Sequence, residues 1–502
     1  MTFKTYTSHL ILWLLLALVS GCTSNLPYHT LNSGDCRSPA AQQCLNDIVG
    51  QYLKDKDSKP SLDGCNDEAS KSCMNSYYQR HENFDLAVAE FSERGNAFNQ
   101  NYIDDVLAQI RSYAEGDGVI LITFVHGWKH NANELDPNLL DFKLALKGIA
   151  GQLDEMFNAN KSLKKRRLVG LYIGWRGASI KAPLLKELTF WDRKAVAQEV
   201  GKGGVTKLLL ELAKIDEGTP ENRNNGKNVL VVVGHSFGGA IVVSALSEVL
   251  TERNLFRTET RNYGAVLGDS VIVLNPAIEA NQALSLVEAA IKSSYPEDQH
   301  PMLVSISTDA DGATHKLFPI GQTVGLLLTW KQADLTRNYY IDRKHGNASI
   351  PLKEEHLDAT TVGNFAPYLT HRLKIDKRQA PVEFNLIKCD EIPADCEPMG
   401  LTTLEGQPTI NPLPDNYPLY FIKTDKSVMS GHNDIFNATI MSFMLAVIDD
   451  VVRRNLLAEV GGYRKRDSTI LSNPDLLNER ANAMLEMLCA QQGNKPVLEC
   501  IK

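Results

Sequence analysis

A serine stands at a sharp turn between two segments of different periodicity. The apolar, β-branched run Leu230–Val233 leads into Gly234–Gly239 (GHSFGG), and small or apolar residues then continue at helical spacing. This pattern predicts a buried strand, a tight turn that carries Ser236, and a helix. Glycines fit such a turn because the two backbones approach closely and larger side chains would clash. A serine held there is suited to be the nucleophile of an acyl transfer.

Other residues with the required chemistry follow three more predicted strands. A serine hydroxyl is a poor nucleophile, so acyl transfer needs a base, an acid that orients the base, and N–H groups that hold the developing oxyanion. The candidates are His126-Gly127-Trp128 after the strand Val119–Val125, Asp309 and Asp311 after Met302–Ile306, and His432 after Leu419–Thr424. His235, at the variable position of the turn, is expected to pack rather than react. His126 and His130 form an H-x-x-x-H pattern, but they lie in a glycine loop without a suitably placed glutamate, so we expect no metal site.

Taken together, these segments resemble the α/β-hydrolases, and most closely a group of poorly characterised bacterial hydrolase-like lipoproteins. The resemblance extends from about Phe84 to Arg453. The matching segments are FVHGWKHNA (Phe124–Ala132), LYIGWRG (Leu171–Gly177), FWDRK (Phe190–Lys194), GHSFGG (Gly234–Gly239), LNPA (Leu274–Ala277) and SGHNDIFN (Ser430–Asn437). In this superfamily the nucleophile is followed along the chain first by the acid and then by the base.

The resemblance implies a role for each candidate. The base follows the last strand of the sheet, which favours His432 and leaves His371 as the alternative. The acid is Asp311 or Asp309, and Asp311 is favoured because the Ala-Asp-x-Ala-Thr pattern around it resembles the family's. Gly312 departs from that pattern, since an aromatic residue is expected there.

The resemblance also implies two backbone N–H donors for the oxyanion. One belongs to Phe237, the residue after the nucleophile. The other belongs to Trp128, in the loop that follows the strand Val119–Val125. Gly127 would permit the tight turn that presents this second N–H group.

Strands that alternate with helices over most of the chain predict an α/β fold. The pattern is that of a mostly parallel, doubly wound sheet with helices on both faces, and the resemblance implies the α/β-hydrolase fold. Helical patterns cover 103–113, 141–157, 178–216 and about 433–453, and the stretch 178–216 is either a core-facing helix or a lid over an acyl pocket. A region from about 322 to 418 interrupts the alternation and is expected to be an insertion before the last core strand.

The first residues predict export to the cell envelope. Lys4 and the apolar run Leu10–Val19 form a signal peptide over residues 1–21, because the run is too short to span a bilayer comfortably. Val19–Cys22 resembles a bacterial lipobox, which implies lipidation of Cys22, and Thr23 then favours sorting to the outer membrane. An ordinary secretory signal is the alternative.

The other cysteines agree with an oxidising compartment. Eight remain besides Cys22, and they form four groups of two that are close in sequence: Cys36 and Cys44, Cys65 and Cys73, Cys389 and Cys396, and Cys489 and Cys500. This spacing suggests local disulfides, with connectivity left open.

Four regions and one function follow from these patterns. After the signal peptide we expect a tether and cysteine-rich appendage (22–80), a hydrolase domain (81–455) and a helical tail (456–502). A net charge of −8 gives no reason to expect nucleic acid. We expect a membrane-anchored serine hydrolase without cofactor that acts on small-molecule or lipid esters. A peptidase or transacylase with the same three residues, or a non-catalytic envelope lipoprotein that uses the fold as a binding module, is the alternative.

Overall fold

The computed structural model describes residues 26–56, 59–175, 196–218 except 198 and 202, 227–256, 268–295 except 292, 299, 301–318, 334–337, 340–342, 346–347, 350–389, 409–410, 413–459, 469–493 and 495–501. The signal peptide, Cys22, Cys396 and most of the predicted lid lie outside these residues.

A mixed sheet runs through the described part of the chain. The strands, in chain order, are β1 (Gly34–Asp35), β2 (Tyr78–Arg80), β3 (Phe84–Phe91), β4 (Val119–Val125), β5 (Arg167–Trp175), β6 (Val229–His235), β7 (Ser270–Leu274), β8 (Leu303–Thr308), β9 (Asp334–Arg337), β10 (Tyr340–Asp342), β11 (Gly346–Asn347), β12 (Ile350–Lys353), β13 (His371–Asp376), β14 (Glu383–Lys388), β15 (Thr409–Ile410) and β16 (Leu419–Thr424). The main sheet has the order β1-β2-β3-β5-β4-β6-β7-β8-β16-β13-β14. Every pairing from β3 to β13 is parallel, while β2 and β14 run antiparallel to their inner neighbours.

Helices pack on both faces of this sheet. The described α-helices, in chain order, are α1 (Pro39–Lys54), α2 (Glu68–Asn75), α3 (Gln100–Glu115), α4 (Pro137–Ala159), α5 (Gly204–Glu217), α6 (Phe237–Phe256), α7 (Leu284–Ile291), α8 (Glu354–Ala359), α9 (Ala438–Glu459), α10 (Pro474–Gln491) and α11 (Val497–Cys500). The two largest apolar clusters lie on the two faces: one contains residues of α3, α5, α6 and α7, and the other contains residues of α4, α9 and α10. The predicted α/β class with a mostly parallel sheet is therefore confirmed. Among the described helices, none is long and apolar enough to cross a membrane.

The strand that leads to the serine lies in the middle of the sheet. All seven residues of β6 are buried between β4 and β7. A strand covered on both faces needs apolar side chains throughout, which explains the continuous run of valines rather than an alternating pattern. The carboxyl end of β6 consequently lies among the ends of its parallel neighbours, where their loops meet.

The region predicted as an insertion before the last core strand adds strands to the main sheet. Within residues 322–418, β13 pairs in parallel with β16, and β14 adds a further strand beside β13. This stretch therefore contributes the outer strands of the main sheet. Its strand β13 has the sequence HRLKID, in which polar residues separate the apolar ones, so it lacks the continuous apolar run that identified the central strands.

The N-terminal disulfides do not join the nearest cysteines in sequence. Cys36 pairs with Cys73 and Cys44 with Cys65, so the two bonds are nested. Cys44 lies within α1 and Cys36 precedes that helix, which separates the two thiols. Each bond instead ties the first part of the appendage to the segment around α2.

The remaining cysteines lie nearer the C-terminus. Cys489 pairs with Cys500, as their spacing suggested, and ties α10 to α11. Cys389 is also disulfide-bonded.

Candidate active site

Ser236 occupies the turn between β6 and α6. It has a φ of 56°, the left-handed region that a residue with a side chain seldom adopts, so its backbone is strained. Its N–H donates to the carbonyl oxygen of Leu274 at 3.0 Å, which ties the turn to the end of β7. A Cβ at Gly238 would lie 2.1 Å from the carbonyl oxygen of Val125. Only glycine lets the turn come this close to the end of β4.

The structure brings His432 and Asp311 together with this serine. The Ser236 hydroxyl lies 2.7 Å from Nε2 of His432, and Nδ1 of His432 lies 2.7 Å from Oδ2 of Asp311. The three residues come from the end of β6, the loop after β8 and the loop after β16. They form one continuous hydrogen-bonded relay, which we call the Ser236–His432–Asp311 relay.

The environment of Asp311 keeps its carboxylate ionised. The residue is fully buried, and burial alone would raise its pKa. The charge of His432 and hydrogen bonds from His432 and Thr314 outweigh that effect and lower the pKa of Asp311 to about 2. An ionised carboxylate can only accept hydrogen bonds. Nδ1 of His432 must therefore donate to it, which leaves Nε2 as the acceptor for the Ser236 hydroxyl.

The two alternatives from the sequence lie elsewhere. Asp309 forms ion pairs with Arg372 at 2.6 Å and with Lys423 at 3.3 Å, so its carboxylate neutralises buried cations from β13 and β16. His371 stacks on Tyr420, and burial lowers its pKa to about 3. In the described residues it is His432 that contacts Ser236.

His126 ties the loop after β4 to the end of β5. The backbone N–H of Trp175 donates to Nε2 of His126 at 3.0 Å, so Nδ1 carries the ring proton and donates to the carbonyl oxygen of Gly127 at 2.7 Å. Burial lowers the pKa of His126 to about 4, which keeps the ring neutral as this pattern requires. His130 separately contacts Asp136 at 3.0 Å. No group of three histidine, cysteine or carboxylate side chains in the described ranges is arranged to hold a metal ion.

The predicted oxyanion residues lie beside the serine. A Cβ at Gly127 would lie 3.0 Å from Cβ of Ser236, so the backbone next to Trp128 comes close to the serine. The rings of Trp128 and Phe237 meet edge to face, with centroids 6.4 Å apart. The loop after β4 and the start of α6 thus meet at Ser236.

Two residues contribute to the site in ways that the sequence did not predict. His235 was expected to pack, yet its Nε2 donates to the backbone carbonyl oxygen of His432 at 2.9 Å. The side-chain amide of Asn275 donates to the same oxygen at 3.0 Å. Asn275 follows β7 and has a φ of 43°, a conformation that asparagine tolerates better than most residues. The Asn-Pro pair after β7 gave no sequence signal for this contact.

The arrangement is capable of proton transfer from a serine hydroxyl. It combines a strained, buried serine, an imidazole within hydrogen-bond distance, and an ionised acid on the far side of that imidazole.

Comparisons of the chain with protein-family models, with curated proteins and with solved structures found no match.

Proposed function

We propose that this chain is a serine hydrolase with the α/β-hydrolase fold, and that it cleaves carboxylic esters through an acyl-enzyme. The observation that carries the proposal is the Ser236–His432–Asp311 relay, with both of its hydrogen bonds at 2.7 Å. A buried ionised acid, an oriented imidazole and a serine on a strained turn are the three parts that activate a hydroxyl nucleophile. Each part comes from a different segment of the chain, so local sequence effects do not account for their alignment.

The first half of the proposed reaction forms the acyl-enzyme. His432 removes the proton of Ser236 through Nε2 while the serine oxygen attacks the ester carbonyl carbon. The negative charge that develops on the carbonyl oxygen is held by the backbone N–H groups of Trp128 and Phe237. His432 then gives its proton to the departing alkoxide, the carbon–oxygen bond of the ester breaks, and an alcohol leaves.

The second half releases the acid. A water molecule enters the position of the alcohol, and His432 removes one of its protons as the water oxygen attacks the acyl carbon. The tetrahedral intermediate collapses, Ser236 recovers its proton from His432, and the carboxylic acid departs. Asp311 stays ionised throughout and stabilises the imidazolium that forms twice in each cycle.

An ester is the acyl donor that we propose. The alkoxide of an ester is a better leaving group than the amine of a peptide. Hydrolysis of an ester therefore needs less activation by the relay than hydrolysis of a peptide. The resemblance to the α/β-hydrolases favours the same class. A peptidase or transacylase would use the same three residues with a different acyl donor or acceptor.

We further propose that the mature chain is lipid-anchored in the bacterial cell envelope, at the outer membrane and facing the periplasm. The support is the resemblance of Val19–Cys22 to a lipobox, together with disulfides of the kind that form in an oxidising compartment. Replacing Cys22 with serine should release the protein to the soluble fraction of lysed cells. Retention of that variant in the membrane pellet would point to a different anchor.

A fluorophosphonate probe tests the enzymatic proposal directly. The probe should label wild-type protein, and Ser236→Ala and His432→Ala should abolish the labelling. Ser247→Ala is a matched control, because that serine lies on α6 and its hydroxyl bonds to the carbonyl oxygen of Val243 at 2.8 Å, outside the relay. If the wild-type protein is folded but the probe does not label it, Ser236 is not an activated nucleophile, and the alternative of a non-catalytic binding module is favoured.

The substrate class is tested with p-nitrophenyl esters of increasing chain length and a peptide p-nitroanilide. Turnover of the esters well above that of the anilide supports the esterase proposal. The reverse order would replace it with a peptidase.

A further inference from the structure

The backbone carbonyl of His432 is held by two side chains from neighbouring strand ends. His235, the last residue of β6, donates from Nε2 at 2.9 Å, and Asn275, directly after β7, donates from Nδ2 at 3.0 Å. We call this pair of hydrogen bonds the His432 clamp. His235 is also the residue next to Ser236, so the nucleophile and the backbone of the histidine it contacts are joined through a single side chain.

The imidazole of His235 is committed to this contact. A carbonyl oxygen can only accept, so Nε2 must carry the ring proton, and the neutral ring then has a bare Nδ1. That nitrogen is buried and has no hydrogen-bond partner among the described residues. Burial, together with the positive charge of a protonated His432, keeps the pKa of His235 well below its ordinary value. The ring is therefore a neutral donor with one fixed orientation.

Asn275 extends the clamp to the strand that precedes the acid. Its Oδ1 accepts the backbone N–H of Thr308, the last residue of β8, at 3.1 Å. The Thr308 hydroxyl in turn donates to the carbonyl oxygen of Met429, in the same loop as His432, at 2.8 Å. The ends of β6, β7 and β8 all bind this loop, although it is separated from them by more than one hundred residues of chain.

We propose that His235 and Asn275 are positioning residues of the proposed hydrolase, and that the clamp sets the distance between the His432 imidazole and the Ser236 hydroxyl. The inference rests on the proposed function. Without the clamp the carbonyl of His432 would lose both donors, and the loop after β16 would move to satisfy that oxygen elsewhere. A small displacement of the imidazole is costly because proton transfer depends steeply on the nucleophile–base distance.

The test uses the full-length protein and the fluorophosphonate labelling rate as its main readout. His235→Leu removes one donor, and His235→Gln returns an amide N–H near the position of Nε2. Asn275→Gly removes the other donor while still tolerating the positive φ. His371→Leu is the matched control, because it deletes a buried neutral imidazole that stacks on Tyr420, away from the relay.

Each donor deletion should slow labelling of the folded protein about tenfold, which corresponds to the loss of one hydrogen bond at the reacting geometry. The double variant should lose more than the product of the two single effects, because in each single variant the carbonyl keeps one donor. His235→Gln should recover most of the rate that His235→Leu loses. With p-nitrophenyl acetate the loss should fall on kcat, with KM unchanged.

The outcomes separate this inference from the proposed function. If wild type does not label, the proposed function fails. If wild type labels and both single variants label at its rate per folded molecule, the clamp has no positioning role. A loss in His235→Leu that His235→Gln does not recover, with a matching loss in His371→Leu, would assign the effect to packing and likewise overturn the inference.

Discussion

Replacing Asp311 with asparagine should disable the relay even though the two side chains have nearly the same shape. Oδ1 of Asp311 accepts the backbone N–H groups of Ala313 and Thr314 at 2.8 and 3.1 Å, and Oδ2 accepts the Thr314 hydroxyl at 2.6 Å and His432 at 2.7 Å. An asparagine has one oxygen, so its NH2 group must face one of these pairs. It should face the side-chain pair, because a hydroxyl can rotate and an imidazole can change tautomer, whereas a backbone N–H cannot become an acceptor. His432 would then carry its proton on Nε2 and could no longer accept the proton of Ser236.

The expected loss lies between two values. The lowering of the Asp311 pKa from 3.8 to about 2 corresponds to about 2 kcal/mol of preference for the ionised acid, or about 30-fold in rate if all of it were lost from the transition state. A base trapped in the wrong tautomer costs about 10⁴-fold in kcat in a serine protease triad. Since the variant suffers both effects, we expect the loss in kcat to lie closer to about 10⁴-fold than to about 30-fold. KM should change little, because Asp311 is buried behind His432.

The assay compares Asp311→Asn with Asp309→Asn, two residues along the same loop. Active-site titration with the fluorophosphonate normalises each rate to competent protein. Asp309→Asn leaves the charges of Arg372 and Lys423 without their carboxylate, so it should cost about 3 kcal/mol of unfolding free energy. Its kcat per folded molecule should stay within about tenfold of wild type, because the residue does not contact His432. The acid assignment is wrong if Asp311→Asn keeps kcat within tenfold of wild type, or if Asp309→Asn loses as much as Asp311→Asn.

Three other measurements test separate parts of the structure. Burial alone would lower the pKa of His29, yet its hydrogen bonds with Glu90 and Glu134 raise that pKa from 6.5 to about 9. Protonated His29 therefore stabilises the fold fully below pH 6.5, and this stabilisation is lost as pH rises through about 9. In urea unfolding, wild type should lose about 3 kcal/mol of unfolding free energy between pH 6.5 and about 9, while His29→Gln should not. The same dependence of unfolding free energy on pH in both proteins would contradict the ion pairs of His29 with the two glutamates. Gly238→Ala should destabilise the fold by about 3 kcal/mol and abolish probe labelling, because its Cβ would lie 2.1 Å from the carbonyl oxygen of Val125. Gly312→Ala is the control and should change neither stability nor labelling, because its Cβ would meet no described atom within 4 Å. Non-reducing peptide mapping should recover a disulfide between Cys36 and Cys73. A disulfide between Cys36 and Cys44, the next cysteine along the chain, would refute the nested pairing.

The strands that lead to the relay were predictable from the sequence because their signal is local. The predicted bounds of β4 and β16 agree with the structure, and those of β6 and β8 differ by no more than two residues at either end. A central parallel strand is buried on both faces and must be a continuous apolar run, so its composition identifies it without knowledge of its neighbours. The turn at Ser236 is equally local, since the approach of β6 and α6 requires glycines at fixed spacing. An outer strand such as β13 carries no such run and was missed.

The contacts within the site depended on the tertiary structure. Asp309 and Asp311 are two residues apart on one loop, and the sequence around them favoured Asp311 only through a resemblance. What separates them is Arg372 and Lys423, which the pairing of β13 with β16 brings against Asp309 from far along the chain. The His432 clamp has the same origin, because its donors lie at the ends of β6 and β7 and its acceptor in the loop after β16. A hydrogen bond between residues distant in sequence leaves no local pattern, so only the order of the strands in the sheet decided which side chains meet.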